Sequence, residues 1–189
     1  MRNLFLISCI ALMLQGCIFA VGAAAGAAGI AAVYDHRKIE QIALDSRIAN
    51  RIEKKLRADI ELSESSHINV ACLNQIVLLT GEALTPALRQ QAEDLAHSVP
   101  DVVKVYNEIT IKGPSSSLTR TSDSWITTKI KTQMLATKDL ESGTIKVVTE
   151  NGSVYLMGSV THEQANMAVD ISRQVSGVQR VMKIFQYKD

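Results

Sequence analysis

The chain has 189 residues, with 20 Lys and Arg against 19 Asp and Glu and a formal charge of +1. So weak a net charge excludes a protein held to nucleic acid by a strong positive field. The balance shifts along the chain: residues 35–112 carry 10 basic and 12 acidic side chains, residues 113–189 carry 9 and 7, which tilts the second half towards anionic partners.

Residues 1–16 read as a secretory signal. Arg2 supplies a positive start, LFLISCIALML an apolar run, and Gly16 the small residue before a cut. The next residue is Cys17, and Leu14-Gln15-Gly16-Cys17 matches a bacterial lipobox. A cysteine thiol at a new N-terminus can carry diacylglycerol, and each buried CH2 of an acyl chain contributes about 0.8 kcal/mol. Ile18, rather than Asp, follows, which in a Gram-negative cell fits sorting to the outer membrane. An uncleaved transmembrane helix is the competing reading, because no charge lies between Leu4 and Val33. The weakly apolar AVGAAAGAAGIAAV argues against it and reads, within 17–44, as a tether. With Cys9 in the signal and Cys17 acylated, Cys72 remains alone; it sits in an apolar strand pattern and reads as a buried, inert thiol.

The chain then repeats itself. Asp45-Ser46-x-Ile48 answers Asp123-Ser124-x-Ile126, INVACLNQIVLLTG answers IKVVTENGSVYLMG, and PDVVKVYN answers SGVQRVMK. This predicts two units, 45–111 and 123–187, joined by the Gly/Pro/Ser-rich linker 112–122. In each, apolar residues recur every fourth position (Ile48, Ile52, Leu56; Ile126, Ile130, Met134), which is one face of a helix, and Asp45 or Ser46 is a natural N-cap. Alternating strands follow around Asn74-Gln75 or Asn151-Gly152, the latter a good type I′ turn. Gly81 and Gly158 read as the points where the chain leaves a strand. Thr85-Pro86 or Thr161 then opens a second helix, and a last strand closes the unit. The fold class is α+β: two tandem αββαβ units, each a three-stranded mixed sheet with two helices on one face, and strands two and three parallel across the helical crossover.

No catalytic constellation emerges. His36, His67, His97 and His162 show no metal-ligand spacing with one another or with Cys72, the Gly-rich run 22–29 precedes no P-loop lysine, and no Ser or Cys sits on a nucleophile turn. The expectation is a non-enzymatic protein with no metal, no cofactor and no small-molecule substrate.

The strand N151-G152-S153-V154-Y155-L156-M157-G158, followed by Thr161, a helix and G177-V178-Q179-R180-V181, resembles the BON repeat. The first copy departs from it at Gln75 and Asp101, where the pattern has Gly, but keeps V77-L78-L79-T80-G81 and the V102-x-x-V105-x-N107 ending. The whole layout is similar to dual-BON outer-membrane lipoproteins. That resemblance implies a lipid-anchored, periplasm-facing protein without catalytic activity, which supports outer-membrane integrity and concentrates at division sites. It also implies that the second unit binds an anionic phospholipid membrane through its first helix, and a link to the β-barrel assembly machinery.

The helix face that would touch lipid is flanked by Trp125, one position off the apolar stripe and about 100° round from Ile126. Thr128, Lys129, Thr132 and Gln133 share its side, and Lys131, with Arg120 and Lys138, adds positive charge. A tryptophan at the headgroup level buries its ring and keeps its N–H wet, and each lysine near an anionic surface contributes about 1 kcal/mol. The first unit has Arg47 where the second has Trp125. The residues by themselves leave a second reading open: a protein-interaction scaffold in which Trp125 packs against the other unit or a partner.

Overall fold

The first unit opens with helix α1 (Ile39–Ala58) and a short helix α2 (Ile60–Ser65). Strands β1 (Ser66–Leu73) and β2 (Ile76–Ala83) form a hairpin, α3 (Pro86–His97) crosses over it, and the last strand is split into β3 (Lys104–Asn107) and β4 (Thr110–Ile111). The second unit has α4 (Ser117–Ala136), a 3-10 turn at Ser142–Thr144, β5 (Ile145–Glu150), β6 (Ser153–Val160), α5 (His162–Arg173) and β7 (Arg180–Tyr187). This computed structural model describes residues 39–113 and 117–188; the signal, Cys17, His36 and most of the tether lie outside them.

Both sheets have the expected topology. β1–β2 and β5–β6 are antiparallel, whereas β3 and β4 run parallel to β2, and β7 to β6. Thr85 caps α3 by accepting from Leu88 N, with Pro86 in the first turn, and Thr161 makes a capping box with Gln164 on α5.

Two local expectations are corrected. Asp45 and Asp123 are not N-caps. Each helix starts at least a full turn earlier, α4 reaching back into the expected linker, and each aspartate is buried within it. The Asp45 carboxylate accepts from the backbone N–H groups of Asn74 (2.9 Å) and Gln75 (2.8 Å); Asp123 accepts from those of Asn151 (2.8 Å) and Gly152 (2.9 Å). In a tight I′ turn these N–H groups have no ladder partner, so a buried anion satisfies them and ties the helix to the hairpin. That clamp also explains how Gln75 stands where a glycine is expected: it holds the same left-handed backbone, φ 64° against 71° at Gly152.

Gly81 and Gly158 do not end their strands, which continue to Ala83 and Val160. A Cβ at Gly81 would lie 2.0 Å from the His67 carbonyl oxygen, and one at Gly158 would lie 2.7 Å from that of Thr144. The glycines are needed where the preceding chain crosses too close for any side chain.

Burial extends to both faces of each sheet. The outer helices cover one face of each sheet: Cys72, Val77 and Leu79 pack under α1 and α3, and Val147, Val154 and Leu156 under α4 and α5. The other faces are not solvated. Ala71, Leu73, Ile76 and Leu78 of the first unit form one buried cluster with Tyr155, Met157 and Ile184 of the second. The order is helices, sheet, sheet, helices, within the compact unit Arg37–Asp189. This is why β2, IVLLTGEA, is buried at every position instead of alternating.

Candidate functional site

The clamp at Asp123 fixes the register of α4 two residues before Trp125. Ile126, Ile130 and Met134, at 2%, 0% and 1% exposure, then take the helix's whole contribution to the core. Ile126 meets the turn before β7 at Gly177, φ 91°, where a Cβ would come within 3.0 Å of Ile126 Cδ1. With its buried stripe complete, the helix leaves Trp125 outside at 54% exposure; its ring is not buried between the units.

By the helical period, Thr132 lies about 20° from Trp125, Lys129 about 40° to one side and Thr128 about 60° to the other. All three are exposed. Lys131 is exposed on the flank, with Arg120 a turn before Ser124. Gln133 is different: it is half-buried, and its Oε1 is buried without a hydrogen-bond partner among the described residues. It therefore belongs to the edge of the core more than to the outer face.

The threonines are less polar than their formula. Thr128 Oγ1 donates to the Ser124 carbonyl at 2.9 Å, and Thr132 Oγ1 donates to the Thr128 carbonyl at 2.9 Å. Hydroxyls bound back to their own helix leave the methyl groups facing out. Leu135, 51% exposed, extends the same surface at the far end. Sequence reading missed it. The available signal was an apolar residue off the Ile126–Ile130–Met134 stripe and ten positions after Trp125. The result is an aromatic and methyl-rich strip between basic side chains; the helix's single acid, Asp123, is buried.

Other sequence candidates take structural places. Cys72 is buried and its thiol donates to Asp45 Oδ1 at 3.6 Å; burial, reinforced by the Asp45 charge, pushes it up to about 12, so it is not a nucleophile at neutral pH. The His162 ring stacks on Tyr187 with centroids 3.9 Å apart, and His67 lies in β1. Among the described residues no group of His, Cys, Asp or Glu could hold a metal, and no helix is long and apolar enough to cross a membrane.

These features define a tandem αββαβ protein whose second copy presents an aromatic helix face. Residues 44–113 and 122–189 both match the BON domain, and the chain belongs to that family. It is 37% identical over 183 residues to the outer membrane lipoprotein DolP of Haemophilus influenzae, spanning 94% of this chain and 92% of that one. It is 38% identical over 144 residues to a 21 kDa hemolysin of Actinobacillus pleuropneumoniae, spanning 76% and 74%. Among solved structures, the C-terminal domain of CdsD, a structural protein of the type III secretion system of Chlamydia trachomatis, is 13% identical over 77% of this chain and 67% of that one, with a TM-score of 0.31, too low a likeness to bear on the site.

Proposed function

We propose that this is a non-enzymatic lipoprotein of the outer membrane, acylated at Cys17 and facing the periplasm, whose second BON unit docks on anionic phospholipid through the outer face of α4. The observation that carries the reading is Trp125, more than half exposed on a helix whose core stripe is complete without it. An exposed indole beside threonine methyls, Leu135 and Lys129 suits the interface between headgroups and acyl chains, where a helix lies flat and need not span. The 37% identity to an outer membrane lipoprotein supports the anchoring and the location. On this reading the protein supports outer-membrane integrity, concentrates at division sites, and meets the β-barrel assembly machinery at the same membrane.

The test uses the unit Arg37–Asp189 with vesicles containing phosphatidylglycerol or cardiolipin. The wild type co-sediments and its tryptophan emission shifts to the blue. Trp125→Glu replaces the anchor with a charge and lowers affinity at least about tenfold, with the fold intact because the ring is outside the core. Unchanged sedimentation of that variant would sink the assignment. An emission that vesicles do not move, but a protein partner does, would favour the scaffold reading instead.

A further inference from the structure

Beside the apolar cluster between the two sheets runs a polar seam, and its centre is unusual. One amide serves two carboxylates from different units. Asn151 Nδ2 donates to Glu82 Oε1 at 2.5 Å and to Glu150 Oε1 at 3.5 Å. Glu82 belongs to β2 and is fully buried; Glu150 ends β5 and is buried too. Sharing one nitrogen holds the two oxygens within about 6 Å of each other, where like charges disfavour each other.

The two carboxylates are not equivalent. Glu82 has a cation, Lys112 Nζ, at 3.7 Å. Glu150 is held by neutral donors: Asn69 Nδ2 at 2.8 Å and Thr80 Oγ1 at 3.5 Å, both from the first unit, besides Asn151. Burial pushes the Glu150 carboxyl above the ordinary carboxylate range. The Asn69 hydrogen bond opposes this, Glu82 and Asp123 add to it, and His67 on β1 opposes it again. Arg120 on α4 shares one cleft with Glu150; Lys112, Arg180, Glu108 and Tyr155 share a second on its other side. The cations line the clefts on either side, and of the two acids that act on Glu150 the stronger, Glu82, sits across the unit boundary.

We propose that this seam is a proton-operated latch between the two BON units. A proton taken up by Glu150 lets that carboxyl sit beside Glu82 as a neutral hydrogen-bonding group and closes the seam. Loss of the proton leaves two like charges facing each other across the boundary and loosens the docking of one unit on the other. For a group raised in the folded state, the stabilisation is fully present below its unfolded value and is lost as pH rises through its folded one. The latch therefore closes in mild acid and loosens towards neutral and alkaline pH. It needs no ligand and stands apart from the lipid reading.

The test is thermal unfolding of the full chain in detergent, wild type against Glu150→Gln, at about pH 8 and about pH 4.5. The amide keeps the acceptor for Asn69 and cannot ionise, so it mimics the protonated carboxyl. The variant melts about 2–4 °C above wild type at the higher pH, and the gap closes at the lower one. Amide exchange at the β5–β6 hairpin, compared between the two proteins at one alkaline pH, is slower in the variant. A gap of the same size at both pH values overturns the proposal, and so does a variant that is equal to or less stable than wild type at about pH 8.

Discussion

The first helices of the two units share one buried design and differ on the outside. Ile48, Ile52 and Leu56 in α1 match Ile126, Ile130 and Met134 in α4, all buried. The clamps also match, Asp45 with Asp123. On the outer faces, Arg47, Asn50, Arg51, Lys54 and Arg57 of α1 stand where α4 has Trp125, Thr128, Lys129, Thr132 and Leu135. Every one of the five in α1 needs water or an ion partner, and Arg57 has one in Glu53 at 2.6 Å. Four of the five in α4, all but Lys129, offer carbon to the outside. The core stripe makes the fold, so it is kept; the outer face answers to whatever it meets, so it is free to diverge.

The largest effects should fall on what the copies share. Asp45→Ala or Asp123→Ala leaves two backbone N–H groups without their buried anion, a loss of about 3 kcal/mol, or roughly 10 °C in melting temperature for a chain of this size. Asp45→Ala should cost at least as much as Asp123→Ala, because Asp45 also accepts from Cys72 and Gln41. Thermal unfolding measures both. A cost below about 1 kcal/mol for either would mean that the hairpins hold themselves and the clamps are incidental.

Much of this was legible in the sequence. The repeat, the four-residue apolar stripe, the Asn-Gly turn and the Thr caps are local patterns with one geometric meaning each, and from them follow the αββαβ order and the place of Trp125 off the core stripe, though not whether the other unit covers it. The misreadings are all long-range. An aspartate three residues before an apolar stripe looks like a cap; only the hairpin folded against it, 29 residues on, shows that it is a clamp. Gly81 looks like a strand end until the His67 carbonyl is placed beside it. The continuous burial of β2 and the shared amide of Asn151 arise from docking one unit on the other, which no single-unit pattern encodes.

The outer faces can be separated by chemistry. Leu135→Ala removes half-exposed apolar surface from the proposed contact, and vesicle affinity should fall about fivefold, near 1 kcal/mol. That loss should persist in high salt. Lys129→Ala should weaken binding by a similar amount at low salt and by little at high salt, since exposed charges more than a Debye length from lipid phosphate are screened. Vesicle sedimentation of both variants across a salt series reads the difference. If Leu135→Ala is silent, the contact is confined to the N-terminal half of α4 around Trp125.

The smallest expected effect tests the finest part of the contrast. Asn50 and Lys54 of α1 end in an amide and an ammonium, whereas Thr128 and Thr132 hide their hydroxyls against i−4 carbonyls. Thr132→Val keeps the β-branch and the outward methyl and exchanges only the inward hydroxyl, so vesicle affinity should stay within about twofold. Thr132→Ser keeps the hydroxyl and removes the methyl, and should weaken binding by a few tenths of a kcal/mol. The opposite order, with Val weaker and Ser unchanged, would mean that the hydroxyls turn outward to headgroups and that the threonines of α4 act as polar ligands.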